Sequence, residues 1–389
     1  MGISALSAAQ ISTLSVSTIQ SLSTTEIASL SSTQVGAINT SGIAALDATQ
    51  IGVLSASQVR GLTTTQISYL SDTVSFSSGQ LQVLNGPQLN ALSTTQIAGI
   101  DATEIGVLSS TQLSGLSATH VSDLTATQVG ALSTTQVKGL TATQLGGLST
   151  TDVGELSSTQ VSTLSVTQLG ALTNTNIGAL STTQIGGLSS TQIGGLAPSK
   201  FSALDSTQVG SLSTTQISGL TSTQLNGLSV TDFGELTTTQ LGALSSTQIG
   251  ALSLDQIPAL ATTQLSALST TQTRGLTAQG IAALSWDQLT ALTTTQIGAL
   301  ATTQVRGLTQ DQIGALTSSQ VAALTSQELG ALTASQTQAL MTTQVAALTT
   351  TQVRGLSATS IGALSSDQLQ ALTTSQLSLI HISEPTRPY

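Results

Sequence analysis

Leu180 to Leu196 reads LSTTQIGGLSSTQIGGL, two copies of one octapeptide followed by the leucine of a third. Position 1 is Leu, position 2 Ser or Thr, and positions 3 and 4 are mostly small and hydroxylated. Position 5 is Gln, position 6 Ile, Val or Leu, position 7 varies, and position 8 is usually Ala or Gly. Copies fill nearly everything from Leu6 to Gln376. Going outward, position 1 recurs at Leu14, Leu22, Leu30, Ile38, Leu46, Leu54, Leu62 and Leu70, and then the phase slips. Leu70 to Ser75 is two residues short, Phe76 restarts the count, and the register holds to Leu372. Roughly 45 units in one row are expected to form a single array over residues 1–376, with a register break at 70–76.

A spacing of eight suits strands as well as helices, so a β-solenoid competes with a helical one. The substitutions favour helices. Position 2 varies to Asp47, Asp101, Asp205, Asn39 and Asn85, the residue types whose side-chain oxygens accept from open amides at a helix N-terminus. Three residues on stands Gln, or Glu26 and Glu104, completing a capping box. Leu at position 1 and Ile at position 6 then form a hydrophobic staple. Where the cap is lost, at Ala197, Pro198 follows at the first helical position, for which its fixed φ is suited. Asp255, Asp287, Asp311 and Asp367 stand in the first turn, where the helix dipole favours negative charge.

The fold expected is therefore all-α, a solenoid of very short capped helices. One continuous helix is excluded, since eight residues carry the apolar face about 80° past two turns and the stripe would wind around the rod. Each helix is one turn or nearly two. Glycine at position 7 is expected to act as a left-handed residue ending a single turn. Pro258 at the same position would remove a hydrogen bond from a longer helix. No unit can fold alone. Small residues at position 8 let neighbouring turns approach, and the hydroxyls of positions 2 to 4 face outward.

Composition narrows the function. Only 6% of residues are charged and 2% aromatic, and 17 acidic against 7 basic residues give a net charge of −10. Neither a basic stripe nor stacking aromatics is present for nucleic acid. Hydrophobic residues make up 39%, but no run approaches the roughly 20 needed to span a membrane. Without cysteine there are no disulfides or thiolate metal sites.

The Ser/Thr-rich repetition, low charge and missing cysteine resemble the low-complexity arrays of large bacterial adhesin-like surface proteins. That resemblance implies an extracellular or cell-surface setting and carries no site residues. The start at position 4 of a repeat, with no signal peptide or cap, reads as a fragment of a longer protein. Leu377 to Arg387, LSLIHISEPTR, resembles a translated sequencing adapter, so 377–389 is expected to be an artefactual tail. His381, Glu384, Arg387 and Tyr389 are then expected to have no function.

Candidate chemistry is sparse. His120 replaces Gln at position 5, but general-base catalysis needs a positioned partner and none is marked. Asp152 with Glu155, and Asp232 with Glu235, share a helix face at i, i+3. Two carboxylates fall short of the six to eight oxygens of a calcium site, and duplication of a variant unit explains them better. Arg60, Lys138, Arg274, Arg306 and Arg354 all hold position 7 before a glycine, either a sparse row of cationic contacts or copies of one unit. Trp286 faces outward alone, Phe201 and Phe233 belong to the core, and Asn39-Thr40-Ser41 matches a glycosylation acceptor. No catalytic, cofactor-binding or metal residue is assigned, and no cofactor is expected.

The expectation is a non-enzymatic structural or interaction scaffold, with a protein or a surface as possible ligand. The alternative is an ice- or crystal-surface-binding solenoid presenting rows of threonine. An enzyme ranks last, because units this alike make no convergent pocket.

Overall fold

The computed structural model describes residues 2–382, with side chains to residue 378. The chain divides into two compact units, Met1–Gln192 and Ile193–Tyr389. Each is a succession of short helices. Among the described residues there are 45 α-helices and one 3-10 turn, Ile3–Ala5, and no strand. The chain is an all-helical solenoid, and the β-solenoid alternative is overturned. The hydroxyl residues sit singly in extended conformation at helix entrances (Ser181, φ −67°, ψ 157°) and not in ladders.

A typical helix, Thr182–Gly186, spans five residues, and others such as Thr302–Gly307 span six. At 3.6 residues per turn this is about one and a half turns, between the two lengths considered. Position 7 glycine is not left-handed, contrary to expectation, because no described residue has a positive φ. Instead, position 8 stays near the right-handed helical region (Gly187, φ −77°, ψ −13°). The next leucine is extended (Leu30, φ −72°, ψ 145°). One extended step at positions 1 and 2 redirects the chain, so no left-handed residue is needed.

Positions 1 and 6 form the core of each unit. Leu180, Ile185, Leu236 and Leu241 are buried, as are Phe201 and Phe233. Thr273 and Thr337 occupy position 6 with no exposure, and each satisfies its hydroxyl by donating to the carbonyl four residues back, at 3.0 Å. Positions 2 to 4 are largely exposed.

Successive turns are joined by the glutamines. In the first unit, Gln58 Oε1 accepts from its own cap amide, Ser55, at 2.8 Å. Its Nε2 donates to the carbonyls of Ile27 at 3.0 Å and Leu30 at 2.7 Å, 31 and 28 residues earlier. In the second unit, Gln240 accepts from Thr237 N–H at 2.9 Å and donates to Val209 and Leu212 at 2.7 and 3.0 Å. One amide thus closes the open N–H end of its own helix and the open C=O end of a helix one turn earlier. A recurrence of 28 residues corresponds to three and a half octapeptides, so a turn of the solenoid takes about that many units.

Backbones of successive turns meet at position 8, as at Gly61, and at position 7, as at Gly36. A Cβ on Gly61 would lie 2.6 Å from the carbonyl oxygen of Ser32, and one on Gly36 would lie 2.6 Å from that of Gly61. Alanine at either site would force the turns apart.

Candidate functional site

In a regular unit the cap hydroxyl and the glutamine are both spent on the fold. The cap hydroxyl accepts from the position-5 amide, as in Ser181 with Gln184 N–H at 3.2 Å, and the glutamine returns to the cap amide at 2.8 Å. Ala261, Ala301 and Met341 offer no acceptor, yet Gln264, Gln304 and Gln344 still accept from their cap amides. Chemistry must therefore be sought where position 5 departs from glutamine.

His120 is one such place. It is buried, and its Nδ1 lies 2.9 Å from Asn90 Oδ1, which also accepts from Ser117 N–H at 2.8 Å. Asn90, 30 residues earlier, thus supplies the oxygen that glutamine would have brought. The contact requires the proton on Nδ1. Burial holds the imidazole below its ordinary value, against the charge of Asp123, which favours protonation. The Ser117 hydroxyl accepts from His120 N–H at 3.1 Å, so it serves as a cap. Nothing in this arrangement orients a nucleophile toward the imidazole.

Asp152 has no N–H to donate across a turn as glutamine does, whereas Asn176, equally short, donates to the Leu148 carbonyl 28 residues earlier at 2.9 Å. Its Oδ2 accepts from Ser149 N–H and from the Ser122 hydroxyl, both at 2.6 Å, and Ser122 again lies 30 residues earlier. Glu155 stands at the crowded position 8, with one carboxylate oxygen buried and unpartnered. Burial and then the charge of Asp152 raise it above the usual glutamate value. Glu235 repeats this: one oxygen is buried and unpartnered, and the carboxyl is raised by burial, then by Asp232 and Asp205. Among the described residues no group of three or more His, Cys, Asp or Glu gathers as a metal site would require.

Asn39 has an architectural use. Its unit carries Gly42 at position 5, and the asparagine keeps the cap's own task while taking over the bridge of the missing glutamine. Oδ1 accepts from Gly42 N–H at 2.8 Å, while Nδ2 donates to Ser12 and Leu14 carbonyls at 3.1 and 3.2 Å. The Nδ2 that a glycan would need is occupied. Arg274 borders an open recess with Ser246, Thr247, Thr271 and Gly275, and Trp286 is 64% exposed. A cavity of about 70 Å³ lies beside the short unit, lined by Asp72, Val74, Phe76, Leu81, Leu92 and Glu104 among others. Among the described residues no helix is long and apolar enough to cross a membrane. His381 lies in the last described helix, Thr374–Ile382, its side chain beyond those described. Glu384, Arg387 and Tyr389 fall outside the described residues.

The bridging role of glutamine was missed from sequence. One signal was available: a capping box accepts Glu as readily as Gln, yet position 5 is overwhelmingly Gln. An amide can also donate, and an ionised carboxylate cannot.

Residues 166–198, 230–262 and 294–326 match the family model of the ALTTAQ repeat. The matches begin 64 residues apart (230 − 166 and 294 − 230), eight octapeptides, and so in the same phase of the array. No curated protein matches the chain.

Proposed function

We propose that the chain is a non-enzymatic structural or interaction scaffold, the repeat array of a larger bacterial surface or secreted protein. The observation that supports it most is the fate of the polar side chains. Hydroxyls cap, glutamines bridge, and the departures at His120, Asp152 and Asn39 are met by compensating groups within the fold. Selection of this kind maintains a stack. A catalytic site would instead leave polar groups converging on open space.

The test is an in-frame deletion of Leu132 to Gly187 in the parent gene. This removes 56 residues, seven units and two turns at 28 residues each. A scaffold keeps its fold across the junction and changes its parent only through length. Loss of a catalytic activity, or of stoichiometric binding of a small molecule, would overturn the proposal.

The exposed threonines of position 4, Thr183, Thr239 and Thr271 among them, favour a second reading, attachment to ice or a crystal surface. Thermal hysteresis of the purified chain decides it, and its absence at high concentration ends that reading.

A further inference from the structure

In the second unit, Gln320 and Gln336 illustrate what position 5 must do. Gln320 Nε2 donates to the carbonyls of Leu289, Thr290 and Leu292 at 3.3, 3.2 and 2.8 Å. Gln336 Nε2 donates to Val305, Arg306 and Leu308 at 3.0, 3.3 and 2.7 Å. Between them, in the same seat, stands Glu328. It is only 6% exposed, and its Oε2 accepts from Thr325 N–H at 2.6 Å, so half of the bridge is intact. The other half needs a donor. At the spacing of the neighbouring bridges the acceptors are the carbonyls of Leu300 and Ile297, 28 and 31 residues earlier, both on buried residues. An ionised carboxylate has no hydrogen to give, and a buried carbonyl facing it would lose its partner.

We propose that Glu328 is a protonated latch: a neutral carboxylic acid whose O–H donates to the Leu300 carbonyl and closes this junction, opening it when the proton leaves. Burial favours that state, and the nearby positive charges oppose it. Burial raises Glu328 above the ordinary glutamate value, against the opposing pull of the Thr325 hydrogen bonds and the charge of Arg274. The helices packed against its own, Thr302–Gly307 and Thr350–Gly355, carry Arg306 and Arg354. Glu26 is the counterexample from the first unit. Exposed at the same position, it accepts from both the amide and the hydroxyl of Ser23 and is held below the ordinary value. The same residue type is therefore pushed toward the ionised form in the open seat and toward the neutral form in the closed one.

The sign of the linkage follows. The folded state holds a proton that the unfolded state has released. Stability of the junction is full below the unfolded glutamate value and falls as pH rises toward the folded one. The fall is up to about tenfold in the local opening constant per pH unit, and then levels off.

The experiment compares the full chain with Glu328→Gln. Infrared difference spectra between the two, taken on titrating upward from the ordinary glutamate range, should show the stretch of a neutral carboxylic acid persisting. Amide exchange around Leu300 and Thr325 should lose protection with rising pH in the parent and stay protected in Glu328→Gln. An ionised carboxylate throughout that range would overturn the latch, as would equal pH dependence in both proteins. So would failure of Glu328→Gln to fold, because the amide is the donor that every neighbouring bridge uses.

Discussion

Among the described residues two repeat units hold no α-helix, Leu70–Ser75 in the first compact unit and Leu252–Ala259 in the second. The first lacks two residues and has no glutamine. It keeps a single turn closed by Val74 N–H to Ser71 O at 2.9 Å, with Leu70, Val74 and the following Phe76 all buried. The second has all eight residues, but Pro258 has no amide hydrogen to return to Leu254, and the α-helix gives way to consecutive turns. Even so, Gln256, Ile257 and Leu260 are buried as deeply as in any regular unit. Gln256 still bridges to Leu225 and Leu228, at 2.7 and 2.9 Å.

Around the short unit the neighbouring bridges absorb the deletion. Gln80 donates to Leu54 and Ile51 carbonyls only 26 and 29 residues back, two fewer than elsewhere, and reaches the equivalent positions. Asp72 helps close the gap by accepting from the Ser93 hydroxyl at 2.6 Å. What the two exceptions share is the buried apolar pair and continuity of the bridges between turns. A complete helix is not among the things they share. The local helix is thus the dispensable part of the unit, and stacking is what positions it.

The largest effect should come from the core. Ile257→Ala should cost about 2–5 kcal/mol locally, as much as Ile313→Ala in a regular helical unit, read by native-state amide exchange. A clearly smaller cost at Ile257 would mean that the proline unit is loosely seated and the comparison fails. Next, Gln256→Ala should cost about 1–3 kcal/mol for each carbonyl left without a donor. That loss should match the one at Gln240→Ala in a regular unit, whose Nε2 likewise donates to two carbonyls, Val209 and Leu212. An effect confined to the cap amide would limit glutamine to capping. Smallest is Pro258→Ala. It restores a donor to a unit that has already settled without it, so circular dichroism should gain a little helix while stability shifts by less than about 1 kcal/mol. A gain near the roughly 3 kcal/mol that an interior proline costs a helix would show that the helix matters after all.

Much of this fold was legible along the chain. Ser or Thr before a short run, with Gln three residues on, marks helix entrances, and the alternation of Leu and Ile marks the core. The choice between helix and strand rested on Asp and Asn at position 2 and on Pro198, whose preferences concern only the few residues around them. The candidate sites were less legible. His120, Asp152 and Asn39 each looked like an isolated oddity, because the groups that explain them, Asn90, Ser122 and the Ser12 and Leu14 carbonyls, stand 25 to 30 residues away. Glycine at position 7 was read as a local turn signal, whereas Gly36 shows the constraint coming from a neighbouring turn.

By itself, then, the sequence determined the helix starts, the eight-residue period and which side chains are apolar, since all of these act within one unit. Only tertiary structure decided that a turn takes about 28 residues, that glutamine donates as well as accepts, and that Glu328 occupies an amide's seat. Those outcomes depend on which carbonyls lie beneath a given side chain, and that is fixed by the stacking of whole turns.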